Sequence, residues 1–224
     1  MAAFDFRGPQ QIEFLDYLGQ GLHAHVVKAR IKNQEYALKL FRFGYDEEWY
    51  GPGQMGYNED RAKPTMFAQY SEDFNCECRA FGRLQESSHA GLAVACYAYI
   101  LLDETHEHML ADRFELEFNG SVDWPGYYDM RGRFLGERSG KPPPIRGLLK
   151  ALGKPGPVTD PPNFTISSAR RLLRNTIKMH PLGIIFLDTR QDQFIEDKMC
   201  DFSQTLTVPH FLTNPELNPQ LNDK

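Results

Sequence analysis

The feature that most constrains the fold is a run of three strand-like segments near the start of the sequence. From Ile12 to Phe41 the pattern reads strand, glycine turn, strand, polar turn, strand, within IEFLDYLGQG, HAHVVKARI and EYALKLFRF. The KNQ turn between the last two segments is too short to carry the chain across a sheet, so neighbouring strands must run in opposite directions. The sequence therefore predicts an antiparallel meander.

A helix and two further strands are predicted downstream. SEDFNCECRAFGRLQE has acidic residues in its first turn, behind Ser71 as the predicted N-cap. Its apolar stripe at helical spacing consists of Phe74, Cys78, Phe81 and Leu84. AGLAVACYAYILL and IRGLLKAL are apolar runs typical of buried strands. Together with the meander, these elements predict an α+β fold.

Two stretches without a sustained period, residues 44–71 and 103–144, interrupt this order and predict insertions. Proline and glycine dominate residues 152–162, which predicts a linker. FTISSARRLLRNTIKMHPLGI follows as a predicted amphipathic helix with a basic opposite face. Its apolar positions are Ile166, Ala169, Leu172, Leu173 and Ile177. The tail after Pro209 is predicted to be peripheral.

Charge and cysteine usage exclude several classes of protein. The 224 residues have a net charge of -5, which gives no general attraction to nucleic acid or to an anionic membrane. The four cysteines lack the companion spacing of a zinc site and predict reduced thiols. Neither a signal-peptide pattern nor an apolar run of membrane-spanning length is present. We therefore expect a cytoplasmic or nuclear protein without nucleic-acid or membrane partners.

The turn between the first two strands carries a phosphate-binding pattern. Residues 19–26 fit G-x-G-x-x-[GA]-x-V, and the matching positions are Gly19, Gly21, Ala24 and Val26. Glycines lack a Cβ and let backbone amides approach a polyphosphate. In isolation, this pattern also describes a plain glycine hairpin. The two histidines in the turn, His23 and His25, are predicted to be exposed.

The third predicted strand carries a second motif that accompanies such a turn. Ala37 and Lys39 form an A-x-K triplet one hairpin downstream, the position of the strand lysine that contacts α- and β-phosphates in protein kinases. With these motifs the sequence resembles the protein-kinase-like superfamily. The resemblance implies that Glu77, on the predicted helix, pairs with Lys39, since a lysine under a nucleotide needs a countercharge. Glu72, nearer the helix start, is the alternative partner.

The resemblance continues in IIFLDTRQDQF and KMCDFS, which are similar to the kinase catalytic loop and metal-binding segment. It implies that Asp188 is the substrate-orienting base, with Arg190 as the cation two residues on. It further implies that Asp201 binds Mg²⁺ and that Gln193 takes the place of the metal-binding asparagine. FIEDKM between them predicts a hairpin with the ED pair at its turn.

The sequence also departs from the kinase pattern. Phe186 and Leu187 replace the His-Arg pair before the catalytic aspartate, which implies that no phosphorylation switch operates. Gln193 is one methylene longer than asparagine, which moves its amide oxygen away from the second metal position. About 20 residues follow Asp201, too few for the helices that carry peptide substrates in kinases.

A smaller family gives a more detailed resemblance. The chain is similar to a fungal family of short kinase-like proteins that bears the name of a kinetochore subunit (Fta-two-like). The shared motifs are ECRAF, PIRGLLK, GIIxxDxRxDxF, DFS and a T-x-P-H segment, here residues 207–210. This resemblance covers most of the chain, with insertions.

The resemblance implies a kinase-like α+β fold formed by a single domain, residues 1–224. An antiparallel N-terminal sheet with one helix (about 1–151) would precede a truncated, mainly helical C-terminal lobe (163–224). It implies a nucleotide-binding protein with ATP and Mg²⁺ as cofactors and weak or atypical phosphotransferase activity. The alternative is an inactive pseudokinase, an interaction or scaffold module of kinetochore type. Its protein partner would then contact the insertions at 44–71 and 103–144.

Overall fold

The computed structural model contains a five-stranded antiparallel sheet near the start of the chain. Its strands are β1 (Glu13–Gln20), β2 (Ala24–Ile31), β3 (Gln34–Phe41), β4 (Cys96–Leu102) and β5 (Ile145–Ala151). Their order across the sheet is β1-β2-β3-β5-β4, so the predicted meander is confirmed. The residues that the structure describes are 1–3, 11–43, 70, 72–119, 131, 143–153, 165–190 and 193–214.

The turn between β2 and β3 fixes the register of the meander. Lys32 and Asn33 both have left-handed backbones, with φ of 50° and 63°. Two successive positive φ values define the type I′ turn, whose twist matches that of the flanking strands. Ile31 therefore pairs directly with Gln34.

Strand β5 runs between β3 and β4, and all but its last residue are buried. Gly147 lies at its centre, where the neighbouring strands leave no room for a side chain. A Cβ there would lie 2.9 Å from Leu40 Cδ2 and 3.0 Å from the carbonyl oxygen of Lys39. The absence of a side chain at this position lets the sheet pack closely.

Three α-helices accompany the sheet in the described part of the chain. They are α1 (Asp73–Glu86), α2 (Glu104–Phe114) and α3 (Ile166–Met179). The side chain of Glu72, rather than the predicted Ser71, caps α1 by accepting a hydrogen bond from the amide of Asn75. Cys76 is also buried on α1, and the predicted stripe residue Cys78 is half-buried against the hydrophobic cluster that α1 joins. None of the described helices is long and apolar enough to cross a membrane.

Helix α2 corrects the prediction that residues 103–144 are irregular and that a single helix accompanies the sheet. Asp103 caps it by accepting a hydrogen bond from the amide of His106, at 3.1 Å. Only Leu110 among its residues is buried, so the helix has almost no apolar period in the sequence. The remaining insertions, residues 44–69 and 120–142 apart from Arg131, lie outside the described residues, as do 154–162 of the predicted linker.

The C-terminal part combines α3 with two short strand pairs. Strand β6 (Ile184–Phe186) pairs with β9 (Thr205–Thr207). Strand β7 (Phe194–Ile195) pairs with β8 (Lys198–Met199), which confirms the predicted FIEDKM hairpin. Two left-handed residues, Glu196 and Asp197, form its turn.

Hydrophobic clusters cover both faces of the five-stranded sheet. One joins the sheet to α2, and its members include Val27, Leu38, Ile100, Leu110, Phe118 and Leu149. The other joins the sheet to α1 and to the C-terminal strands, and its members include Phe41, Phe74, Phe81, Leu148, Ile184 and Phe202. Adjacent residues of β5, Leu148 and Leu149, belong to different clusters because side chains alternate along a strand. The second cluster lies beneath the candidate site.

Two arginines fasten α1 to the C-terminal strands. Arg79 donates hydrogen bonds to the carbonyl oxygens of Thr207, at 2.7 Å, and Pro209. Arg83 donates to the carbonyl oxygens of Leu182, at 3.1 Å, and Val208, at 2.7 Å. These contacts, which we call the arginine clamp, hold α1 against β9 through charged donors.

The segment after Pro209 begins inside the protein rather than at its periphery. His210 is 1% exposed, and its Nε2 lies 3.0 Å from the carbonyl oxygen of Tyr70. The two rings also meet edge to face, with centroids 5.5 Å apart. The prediction of a peripheral tail is therefore wrong for His210. The proline and polar residues around it are typical of an exposed segment, although His210 itself is buried.

Candidate functional site

Lys39 lies at the centre of a buried cluster of charged side chains. Strand β3 directs it to the same face as Phe41, and its ammonium group lies 5.0 Å from the centre of that ring. Its Nζ pairs with Glu77 Oε1 from α1 and with Asp201 Oδ2, at 2.9 Å. Three residues that are distant in sequence, and were each predicted as site residues, therefore meet at one point.

A second lysine, not predicted from the sequence, completes the cluster. Lys150 lies on β5, and its Nζ pairs with Glu77 Oε2 and donates to the carbonyl oxygen of Cys200, at 2.8 Å. Glu77 is fully buried, and it bridges two ammonium groups because each of its carboxylate oxygens pairs with one of them. The available signal was spacing: Lys150 follows the buried Leu148 by two residues on a predicted buried strand, which places both on one face.

The pKa values of this cluster reflect burial and pairing. Burial alone would lower the pKa of Lys39, but the charges of Glu77 and Asp201 outweigh it and raise the pKa above its ordinary value. Burial raises the pKa of Glu77, against the opposing charges of Lys150 and Lys39. For Asp201 burial acts in the raising direction, yet the lysines and its hydrogen bonds hold its pKa well below the usual range.

Glu72, the alternative partner for Lys39, forms a separate ion pair. Its Oε1 lies 2.6 Å from Arg146 Nη1 of β5. Burial raises the pKa of Glu72 to about 6, although the charge of Arg146 acts in the opposite direction. Two glutamates therefore tie α1 to the sheet. Glu72, at the start of the helix, pairs with Arg146, and Glu77, one turn further on, pairs with Lys39.

Asp201 begins a tight turn that uses both of its carboxylate oxygens. Oδ1 accepts hydrogen bonds from the amide of Ser203, at 2.9 Å, and from its hydroxyl, at 2.6 Å. Oδ2 faces Lys39. Phe202 between them is fully buried and packs edge to face on Phe81 of α1, with ring centroids 4.9 Å apart. Phe186 packs on its other side, at 5.7 Å.

Asp188 and Arg190 pair with each other. Arg190 Nε is 2.9 Å from Asp188 Oδ2, and the two side chains are 60% and 43% exposed. Between described residues, no hydrogen bond or ion pair links either of them to Lys39, Glu77 or Asp201. Among the described residues, the predicted catalytic pair therefore makes no direct hydrogen bond or ion pair with these three side chains.

Gln193 supports the backbone of the loop. Its side chain is buried, and Oε1 accepts a hydrogen bond from the amide of Arg190, at 2.9 Å. Mg²⁺ prefers several oxygen ligands in octahedral geometry. Among the described residues, no group of three or more His, Cys, Asp or Glu side chains is placed to hold a metal.

The glycine turn leaves space beside its backbone. Gly19 has a left-handed backbone with φ of 142°, and a Cβ added to Gly19 or Gly21 would meet no atom within 4 Å. The amide of Gly21 donates to the carbonyl oxygen of Ala24, at 2.9 Å, which closes the turn. Val26 lies opposite Lys39 in the β2–β3 register, and Ala37 lies opposite Lys150.

The histidines of the turn are not exposed as predicted. His25 is 4% exposed, and its Nε2 lies 3.0 Å from the carbonyl oxygen of Glu117. Burial lowers the pKa of His25, so the ring is neutral near pH 7. His23 is half-buried and lies 3.0 Å from Asp73 Oδ2 at the start of α1. Tertiary contacts distant in sequence determine both placements.

A comparison with family models covers most of the chain. The family model described as kinetochore Sim4 complex subunit FTA2 matches residues 1–206. The chain belongs to this family. In this FTA2-family chain the matched region contains the whole five-stranded sheet, α1 and all four members of the buried charge cluster. A search of curated proteins gives no match. The wider resemblance to protein kinases, and the site roles that it implies, stay predictions.

Proposed function

We propose that the chain acts as a scaffold subunit of a kinetochore-type protein complex in the nucleus, with a kinase-like core that is architectural. Family membership supports protein partners, because the matching family is described as a subunit of a complex. The kinase-like interpretation is supported by the order of elements, with a lysine on β3 and its glutamate on the following helix.

One observation carries the architectural role: the charged groups in the predicted cofactor- and metal-binding positions are engaged with one another. Glu77 uses both oxygens on Lys39 and Lys150. Asp201 uses both on Lys39 and Ser203. A buried charge cluster of this kind is costly to form and strongly destabilising to break, so it fixes one arrangement of α1, β3 and β5.

The test is recovery of the tagged chain from the cells that produce it. We expect the wild-type chain to co-purify with kinetochore proteins and to form nuclear foci. Asp188→Ala, at a half-exposed site outside the buried cluster, should do the same, because a scaffold does not need a substrate-orienting base. Recovery of the wild-type chain without kinetochore proteins would contradict the proposal. ATP turnover that Asp188→Ala abolishes would favour the phosphotransferase hypothesis instead.

A second candidate function is nucleotide binding at the same cleft. The open glycine turn and the charged Lys39 together favour a polyphosphate. ATP would require Lys39 to exchange part of its contact with Asp201 for phosphate oxygens. Mg²⁺ remains a prediction here, and it would have to be held mainly by the phosphates, since Gln193 is occupied by the loop backbone.

Thermal unfolding with millimolar ATP, with and without Mg²⁺, tests this candidate. Binding to the folded state raises the Tm by mass action. We expect a shift with ATP that Lys39→Met removes when each variant is compared with its own nucleotide-free sample. Asp201→Asn should remove only the increment due to Mg²⁺. A Tm unchanged by ATP would reject nucleotide binding and leave the scaffold role in place.

A further inference from the structure

Helix α3 presents an aliphatic ridge to solvent, although it is only partly anchored to the protein. The ridge consists of Ile166, Leu173 and Ile177, which are 74%, 61% and 55% exposed. Positions separated by seven and eleven residues fall within about 40° of each other around a helix. The three side chains therefore lie on one face of α3.

The opposite side of α3 is the one that holds it in place. Leu172 and Met179 are buried, and Asn175 Nδ2 donates to the carbonyl oxygen of Asp197 at 3.3 Å. This anchored side lies roughly 130° around the helix from the ridge, at about 100° per residue. The ridge is thus available while α3 remains attached.

A basic edge runs beside the ridge. Helix α3 contains four basic residues, Arg170, Arg171, Arg174 and Lys178, and no acidic residue. Arg171 pairs with Asp197 at 3.0 Å. The described part of the chain supplies no acidic partner for the other three, all of which are exposed. An exposed apolar ridge with exposed basic side chains beside it is complementary to a partner with apolar and acidic side chains.

We infer that α3 docks an acidic amphipathic helix of a partner subunit, an inference that rests on the proposed scaffold function. A ridge at i, i+7 and i+11 is the surface against which another helix packs its own apolar stripe. Acidic residues flanking that stripe would face Arg170, Arg174 and Lys178. Helix α3 has 14 residues, so the contact extends over roughly 21 Å.

Other occupants match the surface less well. A second copy paired about a two-fold axis would bring basic edges together. DNA would neutralise the arginines but would leave the aliphatic ridge in water. An anionic membrane would meet a chain of net charge -5 and a ridge without an aromatic residue. These occupants are outcomes of the experiments below.

The first experiment measures binding to a defined probe by fluorescence anisotropy. The probe is a labelled helical peptide of about three heptads, with leucine at a and d and glutamate at e and g. A matched peptide carries lysine at e and g. We expect the full chain to prefer the glutamate peptide. Leu173→Ser should weaken its binding about tenfold, and Arg174→Glu should shift the preference towards the lysine peptide.

Met109→Ser is the matched control, since Met109 is an apolar residue of α2 with 45% exposure. It should leave peptide binding unchanged, and equal Tm values would show that all variants are folded. No preference for the glutamate peptide, or binding that Leu173→Ser leaves intact, overturns the inference. Binding to phosphatidylserine vesicles or duplex DNA that Leu173→Ser abolishes would overturn it as well.

The second experiment places a photo-crosslinking amino acid at position 173 in the tagged chain and purifies its complex. We expect crosslinks to an acidic helical segment of another subunit. Crosslinks within the chain, or to a second copy, would overturn the inference. If Leu173→Ser still co-purifies at wild-type levels, the docking site is wrong while the scaffold role stands. If the wild type recovers no kinetochore protein, the scaffold role fails irrespective of the peptide result.

Discussion

Helices α1 and α3 have the same length, 14 residues, but opposite relations to the rest of the molecule. Helix α1 buries seven residues, among them the charged Glu77, whereas α3 buries two. The arginine clamp and two ion pairs tie α1 to the sheet and to β9, while the α3 side chains Arg171 and Asn175 both make their polar contacts with Asp197 in the β7–β8 turn. Helix α1 is therefore part of the core that determines the fold, whereas α3 mainly presents an exposed surface.

The largest expected effect comes from removing the charge that α1 contributes. Glu77→Gln leaves Lys39 and Lys150 buried with less countercharge, and we expect it to lower the free energy of unfolding by about 3–5 kcal/mol. Urea unfolding measures the loss. Glu86→Gln, on the exposed end of the same helix, is the matched control and should change stability by less than about 0.5 kcal/mol.

A coupled variant sharpens this prediction. Adding Lys150→Met to Glu77→Gln removes one of the two stranded cations, so part of the lost stability should return. Additive losses from the two substitutions would show that Lys150 and Glu77 do not interact in solution, which would contradict the bridging role of Glu77.

A leucine on each helix tests the comparison directly. Leu84 of α1 is 1% exposed and Leu173 of α3 is 61% exposed. Leu84→Ala should cost about 2–5 kcal/mol because it leaves a cavity. Leu173→Ala should change the free energy of unfolding by less than about 0.5 kcal/mol. Chemical denaturation of both variants provides the measurement, and similar losses would show that α3 is packed as tightly as α1.

The burial of Glu72 predicts a pH dependence at the start of α1. Its pKa in the folded chain is about 6, above the ordinary value of 4.5. Between these two pH values the folded chain retains a proton that the unfolded chain has released, so stability falls as the pH rises. The contribution, about 2 kcal/mol, is present below pH 4.5 and lost above pH 6.

Urea unfolding of the wild type and Glu72→Gln at several pH values isolates this contribution, since glutamine does not titrate. The wild type should lose stability relative to the variant as the pH rises from 4.5 to about 6. Parallel pH profiles for the two proteins would contradict the raised pKa.

The smallest expected effect concerns the cap of α3. Thr165 accepts a hydrogen bond from the amide of Ser168, at 3.1 Å. Thr165→Ala should lower the hydrogen-exchange protection of α3 amides by about 1 kcal/mol. Because α3 has few anchoring contacts, we expect it to open separately and the amides of α1 to keep their protection. Equal changes in both helices would show that they unfold as one unit.

Local sequence patterns were sufficient to predict much of the fold. Alternating apolar residues and the KNQ turn predicted β2 and β3, since both signals lie within a few residues. Helix α2 was missed because a single buried leucine leaves no period to detect. The burial of His25 and His210 depends on Glu117 and Tyr70, which are distant in sequence, so no local signal could show it.

Part of the site was predictable from the resemblance to protein kinases. The A-x-K triplet indicated Lys39, and the resemblance implied Glu77 as its partner, with Glu72 as the alternative. The role of Gln193 was not predictable, because its amide oxygen turns to the amide of Arg190. Lys150 was missed because a lysine in an apolar strand was interpreted as part of the strand alone, whereas its partner comes from α1.

The arginine clamp can form only late in the synthesis of the chain. Arg79 and Arg83 lie 125 to 130 residues before the carbonyl groups of residues 207–209 that they bind. At ~5–20 residues per second, a ribosome needs roughly 6–26 s to cover that distance. During this interval α1 is already made, but its two arginines cannot yet bind these carbonyl groups. The nascent chain therefore holds α1 only through its contacts with the sheet until residues 207–209 emerge.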